Sequence, residues 1–204
     1  MFITLEGPEG SGKTSHIPYL VEYLREKGYV VFPTREPGGT TISEQIRDIL
    51  HDLKNAEMHA RTETLLYQAA RAQIVEQVIQ PRLAVGEIVI SDRYYDSTIA
   101  YQGYGHQQDL EQVRGLVKYA TGGLTPSLTI LLDLDVEVGL GRKKKDNEWN
   151  RMDAKTVEFH QRVRAGYLEL VKLEPQRWVV INSEQKWDDV QAELRKVILE
   201  KLTG

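Results

Sequence analysis

The chain has 204 residues, of which 41% are hydrophobic and 27% charged, and it contains no cysteine. This composition is typical of a globular protein large enough to bury a core, and it excludes disulfides, thiolate catalysis and Cys-ligated zinc. The net charge of −4 does not favour a protein that grips a nucleic-acid backbone, although a few local arginines could hold a small anion.

The N-terminus enters strand-like sequence directly, without a basic region followed by a cleavable apolar stretch. No run of residues approaches the roughly 18 apolar residues of a membrane span. We therefore expect a cytoplasmic protein that contacts neither a membrane nor nucleic acid.

Short apolar runs alternate along the chain with longer segments of helical period. The predicted strands are Phe2–Leu5, Tyr29–Phe32, Ile88–Ser91, Leu128–Leu134 and Trp178–Ile181. The predicted helices are Ser11–Lys27, Thr41–Leu53, Arg61–Gln80 (closed by Pro81), Val157–Lys172 and Trp187–Leu202. Strands rich in Val, Ile and Leu that alternate with helices predict an α/β fold with a parallel sheet. No second domain boundary is visible, so residues 1–204 are read as one domain.

The first predicted strand leads into Gly7-Pro8-Glu9-Gly10-Ser11-Gly12-Lys13-Thr14, a match to G-x-x-x-x-G-K-[ST] between a strand and a helix. The glycines let backbone N–H groups wrap around phosphate oxygens, and the helix start adds positive potential. Lys13 would reach the β and γ oxygens, the Thr14 hydroxyl would ligate Mg²⁺, and Ser15 would donate to the α-phosphate. The segment predicts a nucleoside triphosphate site and leaves the phosphoryl acceptor open.

Two polar groups follow the next predicted elements. Arg35 and Glu36 end the second strand, ahead of a turn made by Pro37 and two glycines. On the third helix, Tyr67 and Arg71 are i, i+4 neighbours. A ring beside a guanidinium can stack on and hydrogen-bond a planar base, although a surface cation–π pair would give the same pattern.

The third strand runs into SDRYYDSTIAYQGYG, rich in hydroxyls and tyrosines. In many P-loop folds this strand lies beside the phosphate loop, so Asp92 could hold Mg²⁺ through water, orient Arg93 or form only a structural ion pair. Arg93 can fork onto a phosphate. Thr98 and Gln102 are i, i+4 on a predicted short helix, where a hydroxyl and an amide on one face could read base edges.

Together these motifs closely resemble bacterial thymidylate kinases, over nearly the whole chain. The matching stretches are EGPEGSGKT, REPGGT, LLYQAAR, SDRYYDSTIAYQG, LLDLD and QRVRAGYLEL. Asp-Arg-Tyr followed by Ser and Ala-Tyr-Gln at this spacing is the family's signature, which guanylate, adenylate and cytidylate kinases lack. The resemblance implies a three-layer P-loop NTPase fold with a five-stranded parallel sheet. It also implies transfer from ATP to dTMP with Mg²⁺, and a homodimer.

The resemblance further implies roles for the acceptor site. Glu9 would face the 3′-hydroxyl of dTMP, and Arg93 with Arg35 or Arg47 would hold its phosphate. Tyr67 stands where the family usually has a Phe that stacks on thymine, and Arg71 would bond a thymine carbonyl. Ser97, Thr98 and Gln102 would lie beside the base. Tyr101 would sense the missing 2′-hydroxyl. The Glu36–Pro37 peptide matches one that is frequently cis in the family.

A charged segment at residues 141–153, GRKKKDNEWNRMD, resembles the family's mobile lid. Members with Gly or Glu in the phosphate loop bring catalytic arginines from this lid, and Arg142 and Arg151 match them. Two positions where related lids carry Arg are Lys144 and Asp146 here. We expect Arg142, helped by Lys144 or Lys145, to contact ATP and bridge the phosphates; the alternative is a solvated basic loop.

The candidate catalytic residues are thus Lys13, Asp92, Arg93 and Arg142. The acceptor is already a phosphate dianion, so no strong general base is needed, and all five histidines are read as structural or surface residues. Another kinase acting on a nucleoside or on dUMP, and a non-catalytic ATP-binding protein, stay open as alternatives. A GTPase is disfavoured because no Asn-Lys-x-Asp segment follows a later strand.

Overall fold

A parallel sheet of five strands forms the centre of the molecule, in the order β2-β3-β1-β4-β5. The strands are β1 (Phe2–Glu6), β2 (Val31–Arg35), β3 (Ile88–Asp92), β4 (Leu128–Asp133) and β5 (Trp178–Asn182). The structure is a computed structural model that describes residues 1–145 and 149–203. The central strands β1 and β3 are buried along their whole length, as their continuous apolar runs predict.

All five predicted strands are present, and the α/β class is confirmed. The start predicted for the second strand is wrong by two residues, because the chain leaves the first helix through Gly28, whose φ is +90°, and Tyr29 N still bonds to Leu24 O. The strand continues to Arg35 and includes Pro33. Proline cannot donate to a sheet ladder, so it is tolerated here because β2 lies at the edge.

Helices cover both faces of the sheet. They are α1 (Lys13–Glu26), α2 (Thr41–His51), α3 (Ala60–Ile74), α4 (Gln80–Ala84), α5 (Tyr95–Thr98), α6 (Leu110–Thr121), α7 (Val136–Lys145), α8 (Val157–Leu173) and α9 (Trp187–Thr203). On β1, Phe2 packs in a cluster with residues of α6 and α8, whereas Ile3 packs with residues of α1 and α9. Because neighbouring strand residues point to opposite faces, the sheet separates two cores and forms the middle of three layers.

The prediction that Pro81 closes the third helix is wrong. A π-helical segment, Val75–Ile79, follows α3, and α4 continues the helical path to Ala84. Pro81 lies in the first turn of α4, directly after the π-helical segment, whose hydrogen bonds already depart from the α-helical pattern. Helices α6 and α7 were not among the predicted elements. No helix within the described ranges is long and apolar enough to cross a membrane.

Parallel pairing places the ends of three strands side by side. Asp92 pairs with Leu5 of β1 and with Arg35 of β2. Beyond the strands, Arg93 N donates to Leu5 O at 2.9 Å, and Glu36 N donates to Asp92 O at 2.9 Å. Side chains that follow β1, β2 and β3 therefore converge on one edge of the sheet, as expected for an open α/β fold.

Candidate active site

A cavity of about 900 Å³ opens at this edge. One part of its wall is the phosphate loop and the start of α1: Glu9, Gly10, Ser11, Gly12, Lys13, Thr14 and Ser15. Another part consists of Arg35, Arg47, Tyr67, Arg71, Arg93, Ser97, Thr98, Tyr101 and Gln102, and Asp92 and Arg142 also line the cavity. Among the described residues with a predicted role in the site, Gly7, Pro8, Lys144 and Arg151 do not line the cavity, and all the others do. Gly7 and Pro8 present their carbonyls to Lys13.

The ammonium of Lys13 is held by the loop itself. It donates to Gly7 O, Pro8 O and Ser11 Oγ, each at 3.0 Å, and the side chain is buried. Burial, together with the nearby charge of Arg93, lowers the pKa of Lys13 to about 8. An incoming polyphosphate would favour the charged ammonium, because an opposite charge at close range stabilises the protonated form.

The Thr14 hydroxyl and the Asp92 carboxylate are in contact. Thr14 Oγ1 donates to Asp92 Oδ2 at 2.6 Å, which joins α1 to the end of β3. Mg²⁺ in phosphate sites takes one or two protein oxygens and completes its shell with water and substrate phosphates, so this pair fits such an ion. Within the described residues, no group of three or more His, Cys, Asp or Glu side chains is placed to hold a metal.

Arg93 joins the phosphate loop to the segment after β3. Its Nη2 donates to Glu9 Oε1 and to Tyr101 Oη, both at 3.0 Å, and Tyr101 Oη donates to the same Glu9 oxygen at 2.7 Å. Burial alone would raise the pKa of Glu9, but Arg93 and Lys13 lower it to about 2. The Glu9 carboxylate is therefore ionised, and it occupies one edge of the guanidinium.

The deepest part of the wall is a polar network around Arg71. Its Nε donates to Glu36 Oε2 at 2.7 Å, and its Nη1 donates to Thr98 Oγ1 at 2.7 Å and to Gln68 Oε1 at 3.0 Å. The side chain is 2% exposed, so the alternative of a surface cation–π pair is wrong. Tyr67 lines the cavity one turn earlier on α3, and the Glu36–Pro37 peptide bond is cis, as the resemblance implies.

The segment after α5 is helical, but in a different form from the one expected. Residues Ile99–Gly105 form a π-helix, in which hydrogen bonds span five residues instead of four. Thr98 and Gln102 are still on the same side, since both are buried and both line the cavity. Gln102 Nε2 donates to Oε1 of Glu63, a buried carboxylate with no role predicted above.

Arg35 and Arg47 reach the cavity from β2 and α2. Arg35 forms an exposed ion pair with Glu44 at 2.9 Å. Arg47 is half-buried and donates to Pro37 O at 2.7 Å. Burial and the charge of Arg35 lower the pKa of Arg47, but an arginine stays protonated throughout the physiological range.

The charged segment divides into two parts with different roles. Arg142 lies on α7 and donates weakly, at 3.3 Å, to Gly10 O and Ser183 O, so it stays close to the phosphate loop. Lys145 also lines the cavity, whereas Lys144 lies over the ring of Trp149. Asp146 lies outside the described residues.

Arg151 is not a cavity cation, contrary to its match with the lid arginines. Its Nη1 lies 2.6 Å from Glu63 Oε2, and its Nε donates to Leu50 O at 2.7 Å. Both Arg151 and Glu63 are buried. This end of the segment is therefore packed against α2 and α3, and the alternative of a solvated loop is wrong for it.

Several cavity residues carry no sequence signal that would have identified them. His51, Asn150 and Met152 are among them, and burial and the charge of Arg47 lower the pKa of His51 to about 4. Beyond the phosphate loop, the wall is formed by His16, Ser183, Gln185, Trp187 and Val190. His16 stacks on Trp187 with ring centroids 5.2 Å apart. Two of the five histidines thus line the cavity.

Comparisons with known proteins agree on one family. The profile described as "Thymidylate kinase" matches residues 5–194. A thymidylate kinase of Roseiflexus castenholzii is 46% identical over 97% of this chain and 92% of its own length. One of an Exiguobacterium species is 48% identical over 99% of this chain and 95% of its own. Among solved structures, a thymidylate kinase of Ehrlichia chaffeensis has a TM-score of 0.80 and 36% identity, over 98% of each chain.

Proposed function

The chain belongs to the thymidylate kinase family, and we infer that it transfers the γ-phosphoryl group of ATP to dTMP, forming ADP and dTDP. The single observation that carries this inference is the continuity of the cavity. Its wall runs from the phosphate loop to the polar pocket around Arg71 without an intervening element. A triphosphate on the loop and a nucleoside monophosphate in the pocket would therefore meet at Asp92 and Arg93.

We propose that ATP binds through the loop amides between Glu9 and Ser15, with Lys13 on its terminal phosphates. Thr14 and Asp92 would hold Mg²⁺, which neutralises charge on the phosphate oxygens when it is bound. Arg142 would contact ATP from α7, which is supported by its position beside Gly10. Phosphoryl transfer asks the protein mainly for positioning and charge stabilisation, and these groups supply both.

On the acceptor side, we propose that Arg93 holds the phosphate of dTMP together with Arg47 or Arg35. Tyr67 would stack on the base. The base would form its polar contacts with Arg71, Ser97, Thr98 and Gln102. Glu9 and Tyr101 would face the sugar. This assignment is supported by the burial of the Arg71 network. Buried hydrogen-bond donors discriminate strongly against a ligand that leaves them without an acceptor.

The segment at residues 141–153 is proposed as a lid on the single kinase domain. A closed lid would keep water from taking the phosphoryl group. The part of it that carries Arg151 is anchored to Glu63 and Leu50.

We also propose that the protein is a cytoplasmic homodimer that associates through α2 and α3. Ile42 and Ile49 on α2, Leu53 just after it and Leu65 on α3 are each about half exposed (50%, 47%, 52% and 55%). A cluster of exposed apolar side chains is typical of a protein interface. Leu65→Glu should shift the sedimentation coefficient from that of a dimer to that of a monomer, and an unchanged dimer would place the interface elsewhere.

An acceptor panel tests the proposed reaction. ADP release is measured with ATP, Mg²⁺ and each of dTMP, dUMP, dGMP and thymidine. We expect dTMP to give the highest kcat/KM, with no turnover when the acceptor is omitted. Preference for dUMP or thymidine would favour a related kinase, and absence of ADP release with every acceptor would favour a non-catalytic ATP-binding protein.

A further inference from the structure

Glu6 is a buried carboxylate at the end of the central strand, directly before the phosphate loop. It is 0% exposed and accepts three hydrogen bonds: from Tyr94 N at 2.7 Å, Ser97 Oγ at 2.6 Å and Tyr167 Oη at 2.9 Å. In the part of the chain that the structure describes, no Lys, Arg or His forms an ion pair with it. A buried carboxylate without a paired cation lowers the stability of the folded state. The presence of Glu6 at this position therefore indicates a functional role.

The nearby carboxylate of Asp96 provides a contrast. Asp96 is equally buried, but Arg177 binds both of its oxygens, at 2.7 Å and 2.8 Å. The charge of Asp96 is therefore neutralised by a direct ion pair. Glu6 instead accepts hydrogen bonds from two hydroxyl groups, those of Ser97 and Tyr167, which also contact another residue.

The same hydroxyls that donate to Glu6 accept from Arg93. Arg93 Nη1 lies 3.1 Å from Ser97 Oγ and 3.1 Å from Tyr167 Oη. A hydroxyl has one proton, so a hydroxyl that donates to Glu6 must present its lone pairs to the guanidinium. The two hydroxyl oxygens also lie 2.8 Å apart, so one of them can donate to the other. An ionised Glu6 therefore takes the proton of at least one hydroxyl directly, which leaves lone pairs of both oxygens for Arg93 and makes both better acceptors.

Arg93 needs such support. Its φ is +70°, in the left-handed region that an arginine rarely adopts and that is strained for a residue with a Cβ. Ser91 Oγ donates to Arg93 O at 2.7 Å and holds the backbone, but the direction of the long side chain is set by the contacts of its guanidinium. The Nη1 side is held by the two hydroxyls and Gly7 O, and the Nη2 side faces Glu9 across the loop.

We propose that Glu6 is a positioning residue for Arg93, acting through the hydroxyl groups of Ser97 and Tyr167. It presents the guanidinium to the phosphate of the bound nucleoside monophosphate without touching that phosphate. The proposal rests on the function proposed above, because the position of Arg93 is read through acceptor binding and phosphorylation.

The charge of Glu6 is adjustable near neutral pH. Burial and the charge of Asp96 on α5 raise its pKa to about 7, although Arg93 opposes the shift. The other ionisable groups that face it are Tyr167 on α8 and Lys13 on α1. A protonated Glu6 becomes a hydrogen-bond donor through its O–H group, and a hydroxyl that accepts this proton can no longer donate to Glu6. Lowering the pH should therefore loosen Arg93 in the same way as removing the carboxylate.

Two variants test the proposal: Glu6→Gln, which keeps the size and removes the charge, and Tyr167→Phe, which removes one connecting hydroxyl. Hydrogen bonds to charged groups contribute about 1.5–3 kcal/mol. We therefore expect each variant to lower kcat/KM for dTMP about tenfold or more, mainly through KM, with less than threefold change in KM for ATP. Tyr95→Phe is the matched control, since Tyr95 is a buried tyrosine whose hydroxyl bonds to Thr125 instead, and it should leave both constants unchanged.

A pH profile separates positioning from a structural role. The wild-type to Glu6→Gln ratio of kcat/KM for dTMP should be about tenfold at pH 8.5 and should fall towards one at pH 6, while ionisation of dTMP affects both proteins equally. A ratio that does not change with pH, or a Tyr167→Phe variant that behaves like Tyr95→Phe, would overturn the proposal. If Glu6→Gln does not fold, Tyr167→Phe decides alone. If the wild type phosphorylates no dTMP, the proposed function fails, and calorimetric dTMP binding to the same variants decides the role of Glu6.

Discussion

Arg71 Nε donates to Glu36 Oε2 across 2.7 Å, and the two side chains are 2% and 3% exposed. This ion pair ties the middle of α3 to the residue after β2 and fixes the guanidinium at the bottom of the cavity. Burial raises the pKa of Glu36, and Arg71 opposes that effect. The ion pair therefore holds the Arg71 guanidinium in one position, from which it could hydrogen-bond an acceptor base.

Arg71→Ala should raise KM for dTMP at least tenfold and leave KM for ATP within about twofold, because the donors facing the base pocket are lost while the phosphate loop is intact. Breaking a buried ion pair also costs about 3–5 kcal/mol of stability, so the assay is run well below the unfolding temperature. Arg61→Ala, at the exposed start of the same helix, is the control. Equal changes in both KM values would place Arg71 outside the base pocket.

Lys13→Ala should lower kcat at saturating ATP by about 10²–10³-fold, because a single electrostatic donor aimed at developing charge contributes about 2.7–4 kcal/mol. Steady-state ADP release measures the effect. Lys27→Ala, at the exposed C-terminal end of the same helix, should be unaffected. Unchanged turnover of Lys13→Ala would show that the ammonium contacts no transferring phosphate.

Asp92→Asn separates the two functional roles that the sequence left open for this carboxylate. If Asp92 and Thr14 hold Mg²⁺, the free Mg²⁺ needed for half-maximal rate should rise about tenfold, because a neutral amide is a weaker ligand than a carboxylate. If Asp92 instead orients Arg93, KM for dTMP should rise and the Mg²⁺ requirement should not. A magnesium titration at fixed ATP distinguishes them, with Asp109→Asn as control, since Asn caps α6 as well as Asp does.

Arg142→Ala should lose activity, whereas Arg151→Ala should lose stability. Arg142 lines the cavity, and its loss should lower kcat about 100-fold with little change in stability. Arg151 is paired with Glu63 in the interior, and its loss should lower the free energy of unfolding by about 3–5 kcal/mol. Turnover and urea unfolding are measured on both variants. A stable but inactive Arg151→Ala would return Arg151 to the catalytic set.

The stability of the protein should depend on pH through Glu6. Its pKa of about 7 in the folded state exceeds the ordinary 4.5, so the folded chain binds this proton more tightly than the unfolded chain. The resulting stabilisation is complete below about pH 4.5 and is lost as the pH rises through about 7. At 1.36 kcal/mol per pKa unit the loss is about 3 kcal/mol.

Urea unfolding at pH 5, 6.5 and 8 measures this dependence. The free energy of unfolding of the wild type, relative to that of Glu6→Gln, should fall by about 2.5 kcal/mol between pH 5 and pH 8. Parallel curves for the two proteins would show that Glu6 titrates at its ordinary value in the folded state.

Local sequence determined much of this protein. Apolar runs flanked by helical periods located all five strands, because burial on both faces of a sheet demands continuous apolar residues. The phosphate loop and the segment from Asp92 to Gln102 were recognisable because their chemistry lies in residues close together in the chain. The i, i+4 spacing of Tyr67 and Arg71 placed both on the cavity side of α3, as helix geometry requires.

Only the tertiary structure decided which of these side chains are free for a ligand and which are already paired. Arg151 looked like a lid cation, but it is neutralised by Glu63, 88 positions earlier in the chain. Glu6 had no individual role predicted from the sequence, but Tyr167, from a distant helix, links it to Arg93. Spacing along a chain encodes the form of each element and the face it buries. The partners of a buried charge come from other elements, so they become defined only when the packed layers bring those elements together.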